Sequence, residues 1–229
     1  MGKQSFSLSS ITKKTILALF GLFLAVFLVV HLGINIFILP ITENHSEFFA
    51  EAAHFMGTNP VIKVFEVVLM AAFIIHIITG IVVQIENWIA RGKGYKVRQK
   101  TTTPTGSRYM IYTGIVVFLF LILHFFHFYF IKLGLASAPA AAAIPQPTEE
   151  HFYELAVYLF KNEMLYSILY IITFGFLGFH LNHAVQSAFQ TLGFNHPRYT
   201  PTIKVISSIY AIIISVGFAI IPIYFMIVG

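Results

Sequence analysis

The sequence has no cysteine and no aspartate, one tryptophan (Trp88), and only 10% charged residues over 229 positions. Without thiols the chain forms no disulfide, no thiolate-bound metal site and no cysteine-held iron–sulfur cluster of its own. Soluble domains carry about a quarter charged residues, so this shortage excludes an ordinary water-exposed globule. No internal repeat or second domain is evident, and residues 1–229 read as a single transmembrane domain. No small-residue cleavage site follows the first apolar run, so that run is expected to be a spanning helix, not a cleaved signal.

What fills the space is apolar. The chain is 58% hydrophobic, with 25 phenylalanines. One aqueous core cannot bury that many large side chains, and a bilayer becomes the expected solvent. A helix crosses it with roughly 20 mainly apolar residues. Five stretches qualify, at about 15–39, 61–90, 109–133, 164–192 and 203–228. The predicted fold class is therefore all-α, an integral membrane bundle of five transmembrane helices. The connection from Pro40 to Pro60 carries Glu43, His45, Glu47, Glu51 and His54. Arg91 to Arg108 is basic, with Lys93, Lys96, Arg98 and Lys100 between them. Farther on, an Ala/Pro tract leads into Thr148, Glu149 and Glu150, which read as the start of a surface helix.

The net charge of +5 raises the possibility of nucleic acid, but the cations sit in short loops between apolar runs. Eleven of the fourteen Lys and Arg residues fall on the side that holds the N-terminus and the second and fourth loops; Lys63, Lys132 and Lys161 fall opposite. The positive-inside rule then places the N-terminus in the cytoplasm and the C-terminus outside. A bacterial cytoplasmic membrane is the expected location.

Six of the ten histidines, His31, His76, His124, His127, His180 and His183, lie inside apolar runs. Ionisable groups at that depth face a bundle interior, a water path or a cofactor. Any one of them alone is equally explained by a neutral imidazole bonded to a neighbouring helix. Four successive helices each carrying at least one is a pattern. Depth sorts them. At about 1.5 Å per residue, His31 lies roughly 13 Å from the outer end of its helix and His124 roughly 12 Å. His76 and His180 lie roughly 20 and 25 Å deep on the same scale. The ranking favours an outer pair from the first and third helices and an inner pair from the second and fourth. Two imidazoles per layer suit the two axial positions of a haem, with apolar walls keeping it dry. Gly33, Gly80, Gly175 and Gly178 stand near these histidines and could admit a flat ring or simply close helix packing. Thr79 and Thr173 are nearby hydroxyls. In the doublets, depth marginally favours His124 over His127 and does not separate His180 from His183.

The runs HLGIN around His31, AAHFMGTNP at 52–60, IIHIITGI around His76, TGIVVFLFLILH ending at His124 and FHLNHAVQSAFQTLG from Phe179 resemble one family. It is the diheme cytochrome b membrane anchor of succinate:quinone oxidoreductases (succinate dehydrogenase and fumarate reductase), in its single-chain five-helix form. The resemblance implies two haem b groups, with His31 and His124 as axial ligands of the outer one and His76 and His180 of the inner. His127, His183 and Arg108 become neighbours of the ligands or of propionates. It implies a flavoprotein subunit and an iron–sulfur subunit bound on the cytoplasmic side, where the dicarboxylate chemistry occurs. Menaquinone is the expected electron partner within the membrane. A quinone site near the outer haem points to Glu51 and His54, with Glu66 deeper, because a carboxylate–imidazole pair supplies a donor and a proton carrier. Two other readings compete. One is a diheme anchor of another quinone-linked dehydrogenase. The other is a proton-coupled transporter with a histidine relay, against which stands the lack of inverted repeats and broken helices.

Overall fold

The computed structural model describes residues 8–90, 105–144 and 151–228, with side chains except those of 105–108. All regular structure among them is helical. Five helices are long and apolar enough to cross a membrane, and the chain is a multi-pass helical membrane protein.

Helix α1 (Ser10–Asn35) starts where the Ser9 hydroxyl accepts the Thr12 backbone N–H at 3.1 Å, satisfying one of the first-turn donors. A short 3-10 turn (Ile36–Ile38) carries it toward Pro40. Helix α2 (His45–Thr58) follows, and α3 (Pro60–Ala90) begins at once after it. Asn59 makes that corner: its side-chain oxygen accepts Val61 N–H at 2.9 Å, and Pro60 takes the first helical position, where a missing N–H costs nothing. Helix α4 (Thr105–His124) passes into a π turn (Phe125–Tyr129) and a last piece, α5 (Phe130–Lys132). Then come α6 (Phe152–Asn162), α7 (Met164–Thr191) and α8 (Thr200–Val228).

The five expected spans are present with shifted ends. The first starts five residues earlier, at Ser10, because the Ser9 cap lets Lys13 and Lys14 join the helix. The last starts at Thr200, since Pro201 is compatible with a first turn. The 40–60 connection, expected as a loop, holds α2. Its Glu47, Glu51, His54 and Thr58 are exposed along one face, while Phe49 is buried on another. A 14-residue helix with one wet face is an interfacial element, too short and too polar to span. The cations from Arg91 to Lys100, and the residues Thr148, Glu149 and Glu150, lie outside the described residues.

Helices α7 and α8 form the tightest contact and the best-buried core, which extends through Leu155 and Leu159 of α6. Gly178 makes the approach possible: a Cβ there would stand 2.9 Å from Ser215 Oγ. Ser215 in turn donates to the Phe174 carbonyl. Helix α1 packs against α3 and α7, and α4 against α7, while α3 and α4 barely touch. Two ion pairs secure α3 at its ends. Glu86 binds Lys13 of α1, and Glu66 binds Lys132 at 2.9 Å. The second pair sits beside Tyr129, which interacts with the same carboxylate. At the same end of the bundle α2 and α6 lie together, with the rings of Phe49 and Tyr153 6.1 Å apart.

Candidate functional site

Helices α1, α3, α4 and α7 surround a central region into which each delivers one imidazole. His31 of α1 and His124 of α4 meet across the diagonal. Their ring centres are 5.8 Å apart and their planes are inclined at 82°. Aromatic side chains wall this layer: Phe27 stacks on His31 at 5.2 Å, Phe218 lies 5.6 Å from it, and Phe120 and Phe128 flank His124 at 5.8 and 5.1 Å.

A second layer lies deeper. His76 of α3 rests on α1 where Gly21 leaves room; a Cβ on Gly21 would come within 3.2 Å of His76 Cε1. His180 of α7 rests in the same manner on Gly114 of α4, where a Cβ would stand 3.5 Å from His180 Cε1. His76 and His180 lie within range of each other's charge. Gly21 precedes His31 by ten residues and Gly114 precedes His124 by ten. At 1.5 Å per residue the two layers are therefore about 15 Å apart along the helices. Helix α7, running the other way, passes from Tyr170 beside His124 to His180 over the same ten residues.

The nitrogens of the four rings differ in their partners. His124 Nδ1 is 3.1 Å from the Tyr170 hydroxyl, and His180 Nδ1 is 3.2 Å from Thr113 Oγ1. His31 Nδ1 faces the Asn35 amide nitrogen at 3.3 Å, and that amide also donates to the His31 carbonyl at 2.8 Å. His76 Nδ1 is buried with no hydrogen-bond partner; the Leu17 carbonyl acts on the ring but makes no bond of normal geometry. Buried polar atoms are nearly always paired, so an orphaned imidazole nitrogen marks a place to explain. Among the described residues no three His or Glu side chains converge as a metal-ion cage. The imidazoles come in twos, as a cofactor with two axial positions requires.

The remaining candidates are dispersed. His127, in the π turn, donates from Nδ1 to the Leu123 carbonyl at 2.9 Å and packs 4.8 Å from the Tyr166 ring. His183 is half-buried near His180. The Arg108 side chain lies outside the described residues. Glu51 and His54 are exposed on α2, whose Thr58 hydroxyl donates to the His54 carbonyl at 2.7 Å. Glu66 is engaged by Lys132 on the far side of the α3–α4 gap.

Some of the sequence expectations about small and polar residues are displaced. A Cβ at Gly33 or Gly175 would meet nothing within 4 Å, and Gly178 serves α8 packing, so these glycines do not carry the imidazoles. Gly80 meets only a Leu17 methyl. Gly21 and Gly114 do carry them, and the ten-residue offset from a histidine on the same helix was the available signal. Thr113 and Tyr170 are the hydroxyls that bond the rings. No family model matches the chain, and neither does a curated protein or a solved structure.

Proposed function

We propose that this chain is the membrane-anchor cytochrome b subunit of a succinate:menaquinone oxidoreductase, carrying electrons between an iron–sulfur subunit and a membrane quinone by way of two b haems. The observation that carries the reading is the diagonal His31–His124 pair, with a second imidazole pair about 15 Å deeper. Two imidazoles bound to opposite faces of one metal through bonds of ~2 Å have ring centres roughly 6 Å apart. The 5.8 Å separation of His31 and His124 fits that requirement. The residues of the deeper layer also fit. Gly21 and Gly114 leave the backbone bare beside each imidazole, and the buried Nδ1 of His76 has no hydrogen-bond partner among the described residues.

In this reading His31 and His124 hold the outer haem and His76 and His180 the inner one; the haems supply reversible one-electron chemistry. The protein's task is binding, orientation and exclusion of water. Phe27, Phe120, Phe128 and Phe218 surround the outer imidazoles with apolar rings, and among the described residues no acidic side chain bonds to any of the four. A dry, uncharged site keeps a metal centre's potential under the control of its ligands and their hydrogen bonds.

The Lys and Arg asymmetry supports a cytoplasmic N-terminus, which places α2 and α6 outside and the basic 91–108 segment inside, facing the flavoprotein and iron–sulfur partners. The absence of cysteine assigns the iron–sulfur clusters to a partner. On the outer surface, Glu51 and His54 of α2 remain the candidates for exchanging quinone protons with water. Glu66, the deeper candidate on α3, is bound to Lys132 of α5. The reading is tested by co-purification. The chain should bring a flavoprotein and an iron–sulfur protein with it, and the preparation should pass electrons from succinate to a menaquinone analogue. Isolation with hydrogenase or formate dehydrogenase subunits would move the chain to another quinone-linked complex. A colourless protein would favour the transporter.

A further inference from the structure

Helices α4 and α7 exchange a pair of bonds. His124 on α4 is bonded to a hydroxyl on α7, and His180 on α7 is bonded to a hydroxyl on α4. The direction of the second bond is fixed by its surroundings. Thr113 Oγ1 lies 3.1 Å from the Met110 carbonyl and 3.3 Å from that of Tyr109, so its proton is given to its own helix. What it offers His180 is a lone pair, and His180 Nδ1 must be the donor. A neutral imidazole protonated at Nδ1 has a bare Nε2, the form that binds a metal. Tyr170 is placed for the same task. It is almost fully buried, and its hydroxyl bonds to that of Tyr166 as well as to His124 Nδ1. The Tyr166 hydroxyl donates to the Tyr170 oxygen; with Nε2 committed to a metal, His124 carries its proton on Nδ1, and the Tyr170 oxygen is the acceptor within reach. Nothing equivalent serves the other two helices: His76 Nδ1 has no partner, and His31 Nδ1 faces an amide donor.

We infer that Thr113 and Tyr170 are positioning residues, each holding the Nδ1 side of one axial imidazole, so that each haem layer has one ligand braced by a hydroxyl and one without such a brace. This rests on the two-haem reading. The consequence is selective. A hydrogen bond from Nδ1–H to an oxygen makes Nε2 a stronger donor to the metal, which favours the oxidised state. Losing the acceptor should raise the midpoint potential of one haem and leave the other where it was. Tyr170 acts on the outer haem and Thr113 on the inner.

The experiment is a potentiometric titration of the purified complex, following the b-type absorbance in the wild type, Tyr170→Phe, Thr113→Val and Thr113→Ser. Both Phe and Val preserve shape, and Ser restores the hydroxyl. In Tyr170→Phe one component should move upward and the other stay; in Thr113→Val the opposite component should move, and Thr113→Ser should return it to the wild-type value. Selective loss of the expected component counts the same way. Two wild-type components that ignore both substitutions, or that move together or vanish together in either variant, would overturn the inference while leaving the two-haem reading intact. A wild type without b-type absorbance would remove that reading, and the inference with it.

Discussion

Under the two-haem proposal each of the four imidazoles is a separable part. Replacing His76 or His180 with Ala should halve haem content and remove one b-type component, leaving the His31–His124 component in place. The pyridine haemochrome assay measures this directly, and full retention in either variant refutes the inner pair. The glycines opposite these rings give a sharper test. Gly21→Val would push branched carbons into the His76 ring, already only 3.2 Å from an ideal Cβ, and should also cost the inner haem. Gly33→Val, with nothing within 4 Å, should keep both. The histidines themselves were legible in the sequence because an ionisable group in an apolar run is costly and needs a reason. Their supports were not. Gly21, Gly114, Thr113 and Tyr170 act across helix interfaces, and the rotation of one helix against another follows from packing that no single run of residues records. Gly33 and Gly175, close to the histidines in sequence, have open space where a Cβ would stand.

At the scale of elements, apolar length made the five spans readable, while the features that depend on local hydrogen bonding were missed. Helix α2 was hidden because its wet face of Glu47, Glu51, His54 and Thr58 reads as a polar loop. The π turn after His124 has no compositional mark, and beyond it Lys132 pairs with Glu66. That ion pair is about four-fifths shielded from solvent and joins two helices that otherwise hardly meet. Removing one partner, as in Lys132→Met, should destabilise the detergent-solubilised protein by roughly 1–3 kcal/mol, between the values for exposed and buried pairs. The double substitution Glu66→Gln/Lys132→Met should cost less than the sum of the singles, since neither leaves a stranded charge. Thermal melting of the four proteins completes the cycle, and strict additivity would contradict the pairing. On the opposite interface, Gly178→Ala would bring a Cβ to within 3.0 Å of Ser215 and should lower stability by about 1–3 kcal/mol, whereas Gly175→Ala should be neutral or slightly stabilising. Equal melting of the two variants would argue against close α7–α8 contact.

In the whole molecule α1, α3, α4 and α7 form a ring with an imidazole from each, in two layers about 15 Å apart, and α8 packs on α7 and reaches His31 through Phe218. Orientation in the membrane is testable with little background because the chain has no cysteine. A membrane-impermeant thiol reagent should label Ser46→Cys on α2 in intact cells and Gly94→Cys only after permeabilisation. The reverse pattern would invert the topology and contradict the proposed docking of partner subunits on the cytoplasmic side. The most direct measurement of the central claim is the reduced-minus-oxidised visible spectrum of the purified protein with quantified haem. The account predicts two b-type haems per chain, resolvable as two components. A preparation with none, or with both surviving when His31, His76, His124 and His180 are all replaced, would contradict it.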